Sequence, residues 1–150
     1  MKKINFWEFK DELNFLKKKN LFTKIENTLQ SGEIFFGKIL NKFEKNFLNT
    51  NKSKYGLSVK SGTDALILSL ICAGVKAGDE VITVSFTAIP TVSAIVTIGA
   101  IPKFVDINDK YLIDENKIQK KISKKTKAII PVHLYGQPCN LSKIIKISKK

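Results

Sequence analysis

The chain has no arginine. All 26 basic residues among its 150 are lysines, set against 13 acids, for a formal net charge of +13. That absence weighs against a sequence-specific nucleic-acid reader, because the planar arginine fork makes the bidentate contacts to guanine and phosphate. A lysine-only chain keeps a nonspecific attraction for polyanions. There is one histidine, so histidine clusters around a metal are excluded. Two cysteines, Cys72 and Cys139, make neither a disulfide framework nor a metal site. No apolar run approaches the ~20 residues of a membrane-spanning helix. Glu8 interrupts the start before a signal-peptide core can form. No G-x-G-x-x-G, G-x-S-x-G or H-E-x-x-H pattern occurs. Residues 32–38 have P-loop spacing, but Ile39 stands where Ser or Thr would ligate magnesium and bulky residues fill the interior. These exclusions predict a cytoplasmic protein in a reducing compartment, with neither nucleic acid nor membrane as partner.

What is present is a globular composition, 43% hydrophobic and 26% charged. The lysines are unevenly spread. Residues 1–60 hold 13 Lys and 6 acids, residues 61–109 hold 2 and 5, and residues 110–150 hold 11 and 2. The lysines therefore flank a mildly acidic middle rich in Gly, Ser, Thr and Ala, as solvent-facing residues do.

Phe6, Phe9, Leu13 and Leu16 predict an amphipathic helix over residues 5–19. Ser31-Gly32 reads as a turn. Ile39, Leu40, Phe43 and Phe47 predict a helix over 38–48. Residues 55–59 read as a short strand. Ser61-Gly62-Thr63-Asp64 then opens a buried helix over 65–73, with Thr63 or Asp64 as its cap, Cys72 on its buried face, and Gly74 and Gly78 after it. Residues 80–84 form a strand. Pro90 starts a helix that Gly99 closes. Strands follow at 102–107 and 127–134, separated by a Lys-rich helix over 114–122. Asn140 caps a last helix from Leu141. Strands alternating with helices from residue 55 onward predict an α/β class: a mostly parallel sheet flanked by helices. Two regions are expected, an N-terminal helical segment (1–54) and an α/β domain (55–150). The last helix has no further strand to receive its crossover, so the domain reads as incomplete on its C-terminal side.

The turn Ser61-Gly62-Thr63 leads from a strand into a helix. Free N–H groups and the positive dipole end of that helix could cradle a phosphate, Gly62 allowing close approach. An ordinary capped helix would look the same. His133, at the end of an apolar strand, lies where sites form in parallel sheets, although a lone buried histidine is more often a satisfied structural residue. Phe86, at the equivalent edge, could stack on a flat ring or pack in the core. Cys139 falls in a turn with no base close in sequence.

Several segments together resemble a known family. Ser61-Gly62-Thr63-Asp64-Ala65-Leu66 is followed by Gly78-Asp79-Glu80-Val81-Ile82, then by Gly99-Ala100 with Pro102 and Phe104-Val105-Asp106. Thr126-Lys127-Ala128-Ile129 then runs into Pro131-Val132-His133-Leu134-Tyr135-Gly136-Gln137-Pro138. In this order they resemble the DegT/StrS-type nucleotide-sugar aminotransferases, pyridoxal-phosphate enzymes of the aspartate-aminotransferase fold (type I). Ser31-Gly32 through Gly37, with Phe43-Glu44, is similar to the family's N-terminal segment. Residues 83–95 are similar to the branch acting on dTDP-linked 3-keto-6-deoxy sugars.

The resemblance implies pyridoxal 5′-phosphate as cofactor, with Gly62 and Thr63 on its phosphate. Family members place an aromatic residue directly after a Thr to stack on the pyridine ring. Here that position is Ala88, and Phe86, two places earlier, is the nearest ring. Ser61, His133 and Gln137 match the pattern near the site. The family's Schiff-base lysine, and its aspartate on the pyridine nitrogen, lie beyond residue 150, so no catalytic residue is expected within the chain. The implied protein is a homodimer moving an amino group, from glutamate, to a nucleotide-linked keto sugar in polysaccharide synthesis. The chain alone is expected to be inactive. A dehydratase of the same fold and a lysine-rich polyanion-binding module are the alternatives.

Overall fold

The computed structural model describes residues 7–149. They form two compact units, one up to Ser58 and one from Val59.

The first unit holds three helices: α1 (Lys10–Lys18), α2 (Leu21–Ser31) and α3 (Lys38–Asn51). The predicted first helix begins at Lys10; residues 5 and 6, Phe6 included, lie outside the described residues. Helix α2 was not expected, although Leu21, Ile25 and Leu29 stand four apart along one face. Thr and Asn residues between them favour turns and hide that signal. The segment with P-loop spacing serves as an ordinary helix start. The Glu33 carboxylate accepts the Lys38 N–H at 3.3 Å and pairs with the Lys38 ammonium at 3.1 Å, which holds its pKa below the usual carboxylate range. Glu44 accepts the Ser58 N–H at 2.8 Å. None of the three helices buries a residue. Phe22, Leu29 and Phe43 are all more than half exposed.

Residues 55–59 are not a strand. A strand exists through its ladder, and no described strand pairs with this segment.

The second unit is a three-stranded parallel sheet in the order β2-β1-β3, made of β1 (Glu80–Val84), β2 (Ile101–Val105) and β3 (Thr126–Ile129). All five residues of β1 are buried, as a central parallel strand requires. Its side chains alternate between two cores. Ile82 and Val84 join Val105, Leu112, Ile113, Ile118, Cys139 and Ile144, the side of α6 (Glu115–Ile118) and α7 (Leu141–Ser148). Val81 joins Leu70, Val75, Ala94, Ile95 and Ala100, the side of α4 (Gly62–Cys72) and α5 (Ile89–Thr97). The sheet is thus covered on both faces.

Several elements differ from expectation. Helix α4 is less buried than predicted: Leu70 alone is fully buried, and Cys72 is exposed rather than on a covered face. Strand β3 stops at Ile129 instead of running to residue 134. Ile130 still donates to the Ile82 carbonyl at 2.8 Å, but Pro131 has no N–H to continue the ladder. Strand β2 runs from Ile101 to Val105. Beyond it, Ile107 bridges Ile113 in an antiparallel pair, closing a tight loop. The lysine-rich helix is one α-turn, α6, followed by a 3-10 turn over Gln119–Lys121. At the N-terminal end of the sheet, Glu80 on β1 accepts the Ser123 hydroxyl at 2.6 Å and pairs with Lys103 of β2 at 3.4 Å, tying three segments together.

No helix among the described residues is long and apolar enough to cross a membrane. No group of His, Cys, Asp and Glu among them could hold a metal ion.

Candidate cofactor site

Helix α4 precedes β1 and returns through a short connection, so it runs antiparallel to the strand. Its N-terminus therefore lies at the end of the sheet where the strands finish, the side on which ligands bind in open α/β sheets.

Ser61, not Thr63 or Asp64, is the cap. Its hydroxyl accepts the Asp64 N–H at 3.1 Å and donates to the Asp64 carboxylate at 2.7 Å. The Ser61 carbonyl takes the Ala65 N–H at 3.1 Å. That leaves the N–H groups of Gly62 and Thr63 without a partner among the described residues. A Cβ built on Gly62 would meet nothing within 4 Å. The space beside Gly62 is open, and the helix is long enough, at 11 residues, for its dipole to add positive potential at its first turn. Asp64 in the same turn carries an opposing charge, which Lys60 faces at 3.9 Å. The donor set suits a phosphate ester.

Phe86 lies two residues past β1, in the bend before α5. Its ring is 45% exposed, so it is not a core residue. It meets the ring of Tyr111 at 5.8 Å between centroids, tilted by 44°. Ala88 caps α5 from an extended conformation.

His133 is exposed rather than buried, in the segment between β3 and α7. Its Nδ1 accepts the backbone N–H of Cys139 at 3.0 Å, which places the proton of the neutral ring on Nε2. That bond goes to the backbone of Cys139, while its thiol turns to the Val132 carbonyl at 3.2 Å. Burial pushes the Cys139 thiol up, away from the reactive thiolate. Gln137 lines a cleft of about 420 Å³ with Asn108, Glu115 and Asn140.

The structure groups Ser61, Gly62 and Thr63 at one helix start. No hydrogen bond or ring contact joins them to Phe86, His133 or Gln137 among the described residues. The contact between Phe86 and Tyr111 is not foreshadowed in the sequence, where the two rings stand 25 positions apart.

A parallel sheet covered by helices on both faces defines an open-sheet α/β domain. Residues 16–150 match the DegT/DnrJ/EryC1/StrS aminotransferase family, and the chain belongs to that family. It is 43% identical over 114 residues to GDP-perosamine synthase of Escherichia coli O157:H7, covering 75% of this chain and 31% of that one. It is 40% identical over 141 residues to dTDP-3-amino-3,6-dideoxy-alpha-D-galactopyranose transaminase of Aneurinibacillus thermoaerophilus, covering 93% and 39%. The crystal structure of NtdA from Bacillus subtilis with bound cofactor PMP superposes with a TM-score of 0.90 at 31% identity, covering 99% of this chain and 34% of that one. The chain spans 31–39% of the length of these relatives. The sheet with its flanking helices is part of the type I fold of pyridoxal-phosphate aminotransferases.

Proposed function

We propose that this chain supplies the cofactor-phosphate site of an aminotransferase acting on a nucleotide-linked keto-deoxysugar. The observation that carries the reading is the pair of unpartnered N–H groups at Gly62 and Thr63, with open space beside Gly62, in a chain of this family. Pyridoxal 5′-phosphate, when bound, supplies the electron sink that amino-group transfer needs.

The chain's own residues bind and orient. Gly62 and Thr63 hold the phosphate by backbone donors. Ser61 fixes the first turn so that those donors stay aligned. Phe86 offers an exposed ring face for the flat heterocycle. His133 and Gln137 stand on the same side of the sheet, and no chemical step is assigned to them. Sugar substrates enter the proposal because relatives are named as perosamine synthase and dTDP-sugar transaminase. Glutamate as amino donor, a cytoplasmic location and a homodimer belong to the same proposal. The exposed apolar side chains of α1 to α3 support a protein partner, since such surface is rarely left to water.

Pyridoxamine 5′-phosphate is the suitable probe, because it cannot condense with the 26 lysines. Titration into ¹⁵N-labelled chain is expected to shift the amide signals of Gly62 and Thr63, as is inorganic phosphate. Pyridoxamine without the phosphate is expected not to shift them. Phosphate-dependent shifts confined to the lysine-rich segments would overturn the assignment.

A further inference from the structure

We infer that Tyr111 is a positioning residue for the cofactor site, holding the ring of Phe86 in the orientation that receives the heterocycle. The inference rests on the proposed function above, and four observations support it.

The first is the contact. Phe86 and Tyr111 stand 25 positions apart in sequence, yet their rings lie 5.8 Å apart, tilted at 44°. Both are exposed, at 45% and 59%, so hydrophobic burial does not account for the pair. The second is the backbone. Tyr111 sits in the left-handed region at φ 61. A bulky side chain there is strained, and such strain persists only where surrounding structure enforces it.

The third observation is what enforces it. The loop is closed by the Asn108 N–H on the Leu112 carbonyl at 2.8 Å, and by the Tyr111 N–H on the Asn108 carbonyl at 2.9 Å. The Asn108 side-chain oxygen accepts the Lys110 N–H at 2.9 Å and the Leu112 N–H at 3.3 Å. At the base, the Asp114 N–H reaches the Asp106 carbonyl at 2.9 Å. Leu112 and Ile113, on either side of the last bonds, are buried in the core beside β2. The loop is therefore a rigid bracket, and Tyr111 is what it presents. The fourth is the place. The loop follows the end of β2 and Phe86 follows the end of β1, and these strands are paired in register up to Val84 and Val105. The two rings thus stand at the finishing ends of neighbouring strands, the end at which α4 begins.

One ring alone at Phe86 would be free to sample several rotamers, and each would have to be given up on stacking. A neighbour fixed in a rigid loop removes that freedom beforehand. Tyr111 acts through Phe86 and is not assigned contact with the cofactor.

The test compares pyridoxamine 5′-phosphate with inorganic phosphate, by calorimetric titration of the chain and five variants. Tyr111→Ala is expected to weaken pyridoxamine 5′-phosphate binding about two- to tenfold, the range of one aromatic pair, with phosphate binding unchanged. Tyr111→Phe is expected to keep wild-type affinity. Tyr111→Gly relaxes the left-handed backbone and keeps the loop folded, so it is expected to match Tyr111→Ala in binding while melting no lower than wild type. Phe86→Ala combined with Tyr111→Ala is expected to be no weaker than Phe86→Ala alone, because the second residue works through the first. Additive losses in the double variant, or an equal loss of phosphate affinity, would overturn the inference while leaving the phosphate site standing. A Phe86→Ala variant with unchanged pyridoxamine 5′-phosphate affinity overturns the stacking role and this inference with it.

Discussion

The imidazole of His133 accepts, through Nδ1, the backbone N–H of Cys139 six residues further on, at 3.0 Å. Cys139 is buried, and its thiol donates to the Val132 carbonyl at 3.2 Å. The loop between β3 and α7 is therefore closed from both sides. His133→Ala leaves a buried N–H without a partner and is expected to cost about 1–3 kcal/mol in urea denaturation. His133→Asn, whose side-chain oxygen lies near the position of Nδ1, is expected to recover most of that. Equal losses in the two variants would show that the ring is needed for something other than this bond.

Glu80 makes stability depend on acid. The Ser123 hydroxyl above all holds its carboxyl below the ordinary value of 4.5; burial opposes this, and Lys103 adds to it. A carboxyl whose pKa falls on folding stabilises the folded chain fully above its unfolded pKa. It loses that contribution as pH falls through the folded value. The urea midpoints of wild type and Glu80→Gln are therefore expected to differ by a constant amount above pH 4.5, and to converge below it. A gap unchanged down to about pH 3 would show that the charge is not what stabilises the sheet.

Strand β1 is legible because it is buried on both faces, and three of its five residues, Val81, Ile82 and Val84, are apolar and β-branched. Helix α5 is legible because Pro90 and Gly99 punctuate it. Residues 55–59 have the composition of a strand, but pairing is a property of the neighbour, which a local pattern does not contain. The overlong reading at 127–134 followed apolarity past Pro131, where the ladder loses its donor. At the site, the turn before α4 announced itself through Ser, Gly and Thr in series. The choice of Ser61 as cap depended on its extended backbone, at φ −155 and ψ 161. Tyr111 was not legible, because its relation to Phe86 exists only once two strand ends are side by side.

Ser61 makes both a cap and a bond to the Asp64 carboxylate. Ser61→Ala is expected to destabilise the second unit by about 1 kcal/mol, the usual cost of an N-cap. Ser61→Thr is expected to restore most of it. Chemical denaturation followed by far-ultraviolet circular dichroism measures both. An Ala variant as stable as wild type would mean that the first turn is held by something else.

Gly62 separates folding from binding. Its Cβ position is empty space and its φ is not left-handed, so Gly62→Ala is expected to leave stability unchanged or raise it by up to about 1 kcal/mol. The added methyl group enters the open space beside Gly62, at the helix turn that carries the two free donors. Pyridoxamine 5′-phosphate affinity is expected to fall about tenfold, the worth of one charge-assisted hydrogen bond. Unchanged affinity in a folded Ala variant would move the phosphate site elsewhere.

Gly99 ends α5 for a different reason, and the difference can be measured. Its φ is +75, and a Cβ there would lie 2.9 Å from the Cβ of Ala77. Its carbonyl also accepts the Gly78 N–H at 2.9 Å, so the backbone cannot simply swing away. Gly99→Ala therefore carries two costs: the left-handed backbone, about 1–2 kcal/mol, and the collision with Ala77. Replacing Ala77 by Gly in the same chain removes the collision and leaves the backbone cost. The double variant is expected to be more stable than Gly99→Ala alone, yet still below Ala77→Gly by about 1–2 kcal/mol. Full recovery in the double variant would assign the whole cost to packing, and no recovery would assign it all to the backbone.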